Sequence, residues 1–172
     1  MQMAMGFMMS DLLGTAVKLK LADHLADGPK TAEELAGPTG THAPSLHRLL
    51  RTLSAHGLFA EDGERRFALT ALSEALRTGV PGSVMTSVKM ITGDYFMRPF
   101  TSLMYSVQTG KTAFEKEFGA NIFEYLSTRP EDGSMFSDLM VGFHGPETAA
   151  VEAAYDFSAW GRLLMWGARR AT

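Results

Sequence analysis

A short capped helix, a turn, a second helix and a hairpin follow one another between Thr31 and Leu69, and that order narrows the fold more than any other feature of the chain. Thr31-Ala32-Glu33-Glu34 has the form of a capping box, in which the Thr hydroxyl and the Glu34 carboxylate satisfy reciprocal backbone donors at a helix start. Gly37-Pro38-Thr39-Gly40 reads as the turn that ends this helix. A second helix is predicted from about His42 to His56, with Leu46, Leu49, Leu50 and Leu53 on one face and Gly57 as its stop. Leu58–Glu61 and Arg65–Leu69 flank Asp62-Gly63, a hairpin signal. Together these make the outline of a winged helix.

The surrounding pattern is helical. Phe7, Met8, Leu12, Leu13, Val17, Leu21 and Leu25 form an amphipathic stripe that predicts one long helix from Met3 to about Ala26, stopped by Gly28-Pro29. Such a stripe needs a covering surface, either its own monomer or a partner subunit. Beyond Thr70 helices are predicted at Ala71–Arg77, Ser83–Ile91, Tyr95–Thr109, Ile122–Ser127 and Ser134–Tyr155. Gly142 and Gly145-Pro146 are expected to kink or split the last of these. The fold class is therefore mainly α: a helical dimerisation module with an embedded winged helix and a short β-hairpin wing.

Composition removes several functions. The net charge of −3 supplies no general attraction to phosphate backbones or anionic lipid. Cys is absent, so disulfides and thiolate metal sites are excluded, and cytoplasmic residence is the expectation. The Met-rich start lacks a basic n-region, and Asp11, Lys18 and Lys20 interrupt any membrane span. Gly110-Lys111-Thr112 is not a phosphate loop, because Tyr105 stands where that motif needs glycine. His24, His42, His47, His56 and His144 show no metal-ligand spacing, and no catalytic constellation emerges.

Two sets of residues invite function. His47, Arg48, Arg51 and His56 on the second helix, with Arg65 and Arg66 on the wing, would be a thin phosphate footprint for a DNA-binding regulator. Met90, Phe100, Phe114, Phe123, Tyr125, Phe136, Met140 and Phe143 form an aromatic and methionine set. Core packing accounts for such residues by default, but a concave wall of them would suit a flat aromatic ligand.

Leu21–Pro29, Thr39-Gly40-Thr41, Leu46–Arg51, Gly57-Leu58-Phe59, Phe67–Thr70, Phe123–Leu126 and Tyr155-Asp156-Phe157 together resemble the N-terminal region of the small-molecule O-methyltransferases. These S-adenosylmethionine-dependent enzymes include plant phenolic and bacterial polyketide-tailoring members. The resemblance implies that the N-terminal helices intertwine two subunits and that the winged helix is structural. It implies that the later helices form one wall of a pocket for a small aromatic substrate. By the same likeness Phe123 touches the edge of the cofactor, Met140 contacts substrate and cofactor, and Met90 and Phe136 line the substrate side. Ile91 stands where many plant members carry Asn.

The division expected is 1–80 for the dimerisation helix and winged helix, 81–160 for a helical substrate wall, and 161–172 for an out-of-frame or unstructured tail. Ala154–Gly161 has the character of a lead into a nucleotide-binding domain. Read one base earlier, the codons from the last base of Leu164 through Met165-Trp166-Gly167-Ala168 admit an Asp-Val-Gly-Gly fingerprint, so a frameshifted N-terminal half is the expectation. The resemblance places the glycine-rich motif, the ribose-binding acid and the catalytic His in a domain that this sequence does not contain. It therefore implies no catalytic residue here, little binding of S-adenosylmethionine, and no methyl transfer unaided. A homodimer, or a heterodimer with a full-length methyltransferase subunit, is the expected assembly, with neither nucleic acid nor membrane as partner. A winged-helix transcription regulator and an interaction protein pairing with methyltransferase subunits are the alternatives.

Overall fold

A computed structural model describes residues 3–155, and the side chains of 4–140, 150, 151 and 153–155. Tyr155 is thus the last described residue, and the segment from Asp156 onward, with its frameshift expectation, lies outside them, as do the side chains of Phe143 and His144.

The N-terminal stripe forms two helices rather than one. After a 3-10 turn at Met3–Met5, α1 runs Gly6–Lys18 and α2 runs Leu21–His24. Lys20 between them takes a left-handed conformation at φ 51°. Leu19 N–H still donates to the Thr15 carbonyl, but Lys20 N–H donates to Val17, so the helical ladder closes there. The bend lets Leu21 and Leu25, 0% and 2% exposed, turn into the core beneath the winged helix.

The winged helix forms as its local signals require. In α3 (Ala32–Thr39) the Thr31 side chain accepts from Glu34 N–H at 3.2 Å while the Glu34 carboxylate accepts from Thr31 N–H at 2.7 Å. The α4 helix spans Ala43–Ala55. Its end is a Schellman arrangement: Leu58 N–H reaches the Leu53 carbonyl and Gly57 N–H the Ser54 carbonyl, with Gly57 at φ 77°, where a Cβ would be strained. The hairpin pairs β2 (Phe59–Glu61) with β3 (Arg66–Leu69) in the register Phe59↔Leu69 and Glu61↔Phe67. A further strand that local patterning does not announce, β1 (Lys30–Thr31), adds to the far edge of β3, giving the antiparallel order β1-β3-β2. Period-two alternation turns Phe59 and Phe67 inward, 2% and 0% exposed, onto Leu35, Leu46, Leu50 and Leu53.

The remaining helices are α5 (Ala71–Glu74), α6 (Met85–Ile91), α7 (Asp94–Thr101), α8 (Leu103–Thr109), α9 (Ala113–Phe118), α10 (Ile122–Ser127) and α11 (Pro130–Ala154). The single helix predicted over Tyr95–Thr109 is two, parted at Ser102. Pro99 lies inside α7 and has no N–H to offer the Tyr95 carbonyl, so the ladder weakens just ahead of the break. A helix where none is predicted, α9, is capped by Thr112, whose Oγ1 accepts from Phe114 N–H and Glu115 N–H. Conversely, α11 passes Gly142 and Gly145-Pro146 as one assigned helix instead of splitting.

Three apolar clusters result among the described residues. One lies inside the winged helix; another joins α6, α7, α9, α10 and α11 around Met90, Tyr95, Leu126 and Leu139. Between them, Val17, Ala22 and Leu76 pack with Leu13, Met85 and Val88. The approach of α1 to the end of α6 is close: a Cβ placed on Gly14 would lie 2.6 Å from Thr92 Cβ.

Candidate functional site

Met90 projects from α6 and is 2% exposed; Phe136 and Met140, a helical turn apart on α11, are half-buried against the same cluster. Three of the four residues singled out from the sequence are therefore brought together by helix packing across 46 to 50 positions of chain. Their surfaces are carbon and thioether sulfur, which give contact area and shape but little hydrogen bonding.

Phe123, the fourth, stands apart. It is the second residue of α10 and 73% exposed, because the Asn121 capping box fixes the helix start with this side chain turned outward. Its neighbours Ile122 and Tyr125 turn inward instead. Phe100, also in the aromatic set, is 62% exposed on α7 and does not join the cluster. Phe114 and Tyr125 do.

Beside Met90 lies an aromatic group that patterning did not assemble. Phe114 and Phe118 of α9 sit with ring centroids 4.8 Å apart, and both meet Tyr125, at 5.5 Å and 4.8 Å. The Tyr125 ring lies 6.0 Å from that of Tyr95, with the Arg129 guanidinium 3.8 Å from its centroid. Phe118, Leu126, Leu139 and Tyr95 are members of the cluster that sequence reasoning missed. The signal for Phe118 was present in Thr112-Ala113-Phe114-Glu115, a capping sequence announcing α9. The Tyr95 hydroxyl is buried without a hydrogen-bond partner, as are Ser54 Oγ and Arg77 Nε. Burial first, then the nearby Asp132 and Tyr125, push the Tyr95 phenol above its ordinary range.

A polar strap holds this group to α7. Arg98 Nε donates to Glu117 Oε2 at 3.0 Å, the Ser102 hydroxyl donates to Glu117 Oε1, and Lys116 reaches Ser102 Oγ at 3.2 Å. The Ser102 hydrogen bond, followed by Arg98 and Lys116, holds the Glu117 carboxyl below its ordinary value against a smaller opposing effect of burial.

The winged helix offers a poor surface to DNA. His47, expected on the exposed face of α4, is 9% exposed: its ring packs edge-on to Phe67 at 5.5 Å. Its Nε2 lies 3.2 Å from Arg65 Nε and 3.3 Å from Glu61 Oε1. Arg66 is paired with Asp62 at 2.9 Å and with Glu64 at 3.1 Å. The Arg66 backbone N–H, then its guanidinium and the Glu64 N–H, hold the Asp62 carboxyl below its usual range. The wing cations are thus committed to local partners, and Glu61, Asp62 and Glu64 outnumber them. Among the described residues no group of His, Asp and Glu has a metal-binding arrangement, and no helix is long and apolar enough to cross a membrane.

Comparison with known proteins points elsewhere. The family model for the O-methyltransferase dimerisation domain matches residues 1–79. The chain is 40% identical over 168 residues to phenazine O-methyltransferase PhzM of Lysobacter antibioticus, covering 98% of this chain and 49% of that protein. It superposes on the structure of the mitomycin 7-O-methyltransferase MmcR with a TM-score of 0.85 at 32% identity, covering 92% of this chain and 47% of the other. The methyltransferase NcsB1 of neocarzinostatin biosynthesis, solved with S-adenosylmethionine and 2-hydroxy-5-methyl naphthoic acid, matches with a TM-score of 0.75 at 33% identity. That match covers 89% of this chain and 47% of NcsB1. The chain spans about half the length of the curated relatives it matches.

Proposed function

We propose, on the premise that this chain belongs to the O-methyltransferase family through the dimerisation domain at residues 1–79, that it is the subunit-pairing and acceptor-wall part of an enzyme methylating an aromatic hydroxyl. The observation that carries this reading is the meeting of Met90, Phe136 and Met140 in one cluster. Carbon and thioether side chains of this kind would give contact area to a fused aromatic ring. The NcsB1 and PhzM relatives, whose names specify a naphthoic acid ligand and a phenazine, accord with a substrate of that kind.

Pairing falls to α1. Met5 of the leading 3-10 turn and Phe7 and Met8 of α1 are 47%, 61% and 44% exposed at the start of the dimerisation domain, an apolar face that a second subunit would cover. A homodimer is the simplest assembly; a heterodimer with a longer methyltransferase subunit uses the same face. Within the chain, 1–80 is the pairing and winged-helix unit and 81–160 the wall, with the packing of Val17 and Leu76 against Met85 and Val88 joining them.

For S-adenosylmethionine the described residues supply one edge. Phe123 is exposed and apolar, and Met140 is half-buried. Such side chains give contact area but do not hydrogen-bond ribose hydroxyls or a carboxylate. When bound, the cofactor supplies an electrophilic methyl group; Phe123 would limit its edge while Met140, Met90 and Phe136 orient the acceptor ring. The base that takes the hydroxyl proton is not among these residues, so the 172-residue chain alone is expected to bind the cofactor weakly and to transfer no methyl group. The DNA-binding alternative is not supported.

Light scattering coupled to size exclusion, together with a methyl-transfer assay on a hydroxynaphthoate, tests the proposal. A dimer-sized particle without activity alone agrees with it. A monomer at micromolar concentration, or turnover by the isolated chain, would refute it.

A further inference from the structure

Where α7 runs into α8, Phe100, Leu103, Met104 and Val107 are 62%, 54%, 66% and 74% exposed. Met104 and Val107 stand one turn apart with Leu103 beside them, and Phe100 precedes them by a turn, so large apolar side chains follow one another at helical spacing. No side chain of α8 is buried. Residues 99–110 contain no charged side chain, in a sequence of which 20% is charged. A helix that faces water carries charged or polar residues on its outer side. This one offers carbon and sulfur instead, which marks a surface that another molecule covers.

We propose that this stripe is covered by a second copy of the same chain, so that the subunit interface extends beyond the dimerisation domain onto the wall segment. The inference rests on the pairing reading and deepens it. Area argues for a second copy. At their exposures Met5, Phe7 and Met8 offer about 300 Å² of apolar surface, whereas a permanent homodimer buries at least about 1,000 Å² per subunit, about 65% of it apolar. The stripe adds about 500 Å², and the two faces together supply what such an interface needs. Position argues the same way. The α1 helix lies against the end of α6, with Gly14 at Thr92, and α7 begins two residues later at Asp94, so the helices that bear the stripe lead away from the pairing helix itself. A face without charge also suits the centre of an interface, where charged residues are depleted. The Phe100 ring stands 6.2 Å from that of Phe96, which packs against the cluster of Met90 and Tyr95. A second subunit seated on Phe100 would therefore support the acceptor wall from outside, tying pairing to the substrate side.

The sequence has no cysteine, so single introduced thiols report position without background. The test co-expresses the 172-residue chain as Met104→Cys and as Phe7→Cys, distinguished by tags, treats the product with a short bismaleimide and maps the adducts by mass spectrometry. Adducts through position 104, to position 104 or position 7 of the second copy, are expected. In sedimentation equilibrium Met104→Glu should raise the dimer dissociation constant at least about ten-fold. Its far-UV circular dichroism should match that of the wild-type chain, because α8 buries no side chain; if that spectrum is lost, the adducts alone decide. Dimers without any adduct through position 104, or a folded Met104→Glu chain that pairs as tightly as wild type, overturn this role for the stripe, assign it to a different partner and leave pairing through α1 standing. A wild-type chain that stays monomeric at micromolar concentration overturns the pairing reading and this inference with it.

Discussion

Replacing Gly14 by alanine tests how tightly the pairing helix is joined to the helix that carries Met90. The added Cβ would lie 2.5 Å from Thr92 Oγ1 and 2.6 Å from Thr92 Cβ, distances at which something must move. Thr92 cannot rotate away, because the second contact is to its Cβ, and its hydroxyl is held by the Val88 carbonyl at 2.7 Å. Overpacking of this kind costs about 1–3 kcal/mol. Alanine regains about 0.5–1 kcal/mol in helix propensity over glycine. The net expectation is a loss of about 1–2 kcal/mol, which for a chain of this size lowers the melting temperature by roughly 2–8 °C. Circular dichroism melts of the wild-type chain, Gly14→Ala and two double variants make the reasoning specific. Adding Thr92→Ala should rescue little, since Cβ remains; adding Thr92→Gly should restore most of the loss. A Gly14→Ala chain as stable as wild type, or full rescue by Thr92→Ala, would show that α1 and the end of α6 do not approach as described.

Other expectations are independent of that contact. Asp23 accepts from the Thr78 backbone N–H at 2.8 Å and from its hydroxyl at 2.7 Å, stapling α2 to the segment after α5; Asp23→Ala should cost about 1–3 kcal/mol in urea unfolding by leaving those donors unmatched. Glu117 has a lowered pKa, so its strap from α9 to α7 contributes stability above the ordinary carboxylate value and loses it as pH falls through the folded value. The melting temperatures of wild type and Glu117→Gln should therefore differ at neutral pH and converge in acid; a constant gap would remove Glu117 from the account. Phe123→Ala should stay within about 0.5 kcal/mol of wild type in stability, because the ring is 73% exposed, and a larger loss would mean that Phe123 is a packing residue.

The elements that sequence reading placed well are those whose boundaries are written in neighbouring residues. The Thr31–Glu34 capping box and the Gly57 stop each act within six positions and form as the side chains dictate, while the hairpin at Asp62-Gly63 forms through a four-residue loop in which Arg65, at φ 61°, and not Gly63, takes the left-handed conformation. The elements it misplaced are decided over longer reach. Lys20 adopts a left-handed conformation uncommon for a residue with a Cβ, and it does so where the bend delivers Leu21 and Leu25 to a core built from α3, α4 and the hairpin. A periodicity window sees a continuous stripe there, because the same leucines satisfy a straight helix as well as a bent one. The β1 strand is equally non-local: two residues with no strand pattern pair because β3 presents a free edge 35 to 37 positions away, at Thr31↔Arg66 and Lys30↔Phe67.

The candidate site divides along the same line. Residue type and family likeness named Met90, Phe136 and Met140, and packing unites them; the likeness set Phe123 apart at the cofactor edge, but residue type alone could not, since an aromatic side chain reads alike whether a capping box turns it outward or a helix buries it. Charge pattern failed in the opposite sense at the wing. His47, Arg65 and Arg66 read as a cationic footprint by residue type alone, whereas the folded hairpin sets Glu61, Asp62 and Glu64 against His47 and Arg66. Only the hairpin brings Glu61 and Arg65 to the same imidazole nitrogen, 3.3 Å and 3.2 Å away. Glu61 needs that nitrogen protonated as a donor, while Arg65 needs it as an acceptor, so the two contacts compete for one tautomer. A His47 so shared between wing and helix fastens the wing to α4, and a hairpin fastened in this way is suited to bracing the dimerisation domain rather than to tracking a phosphate backbone.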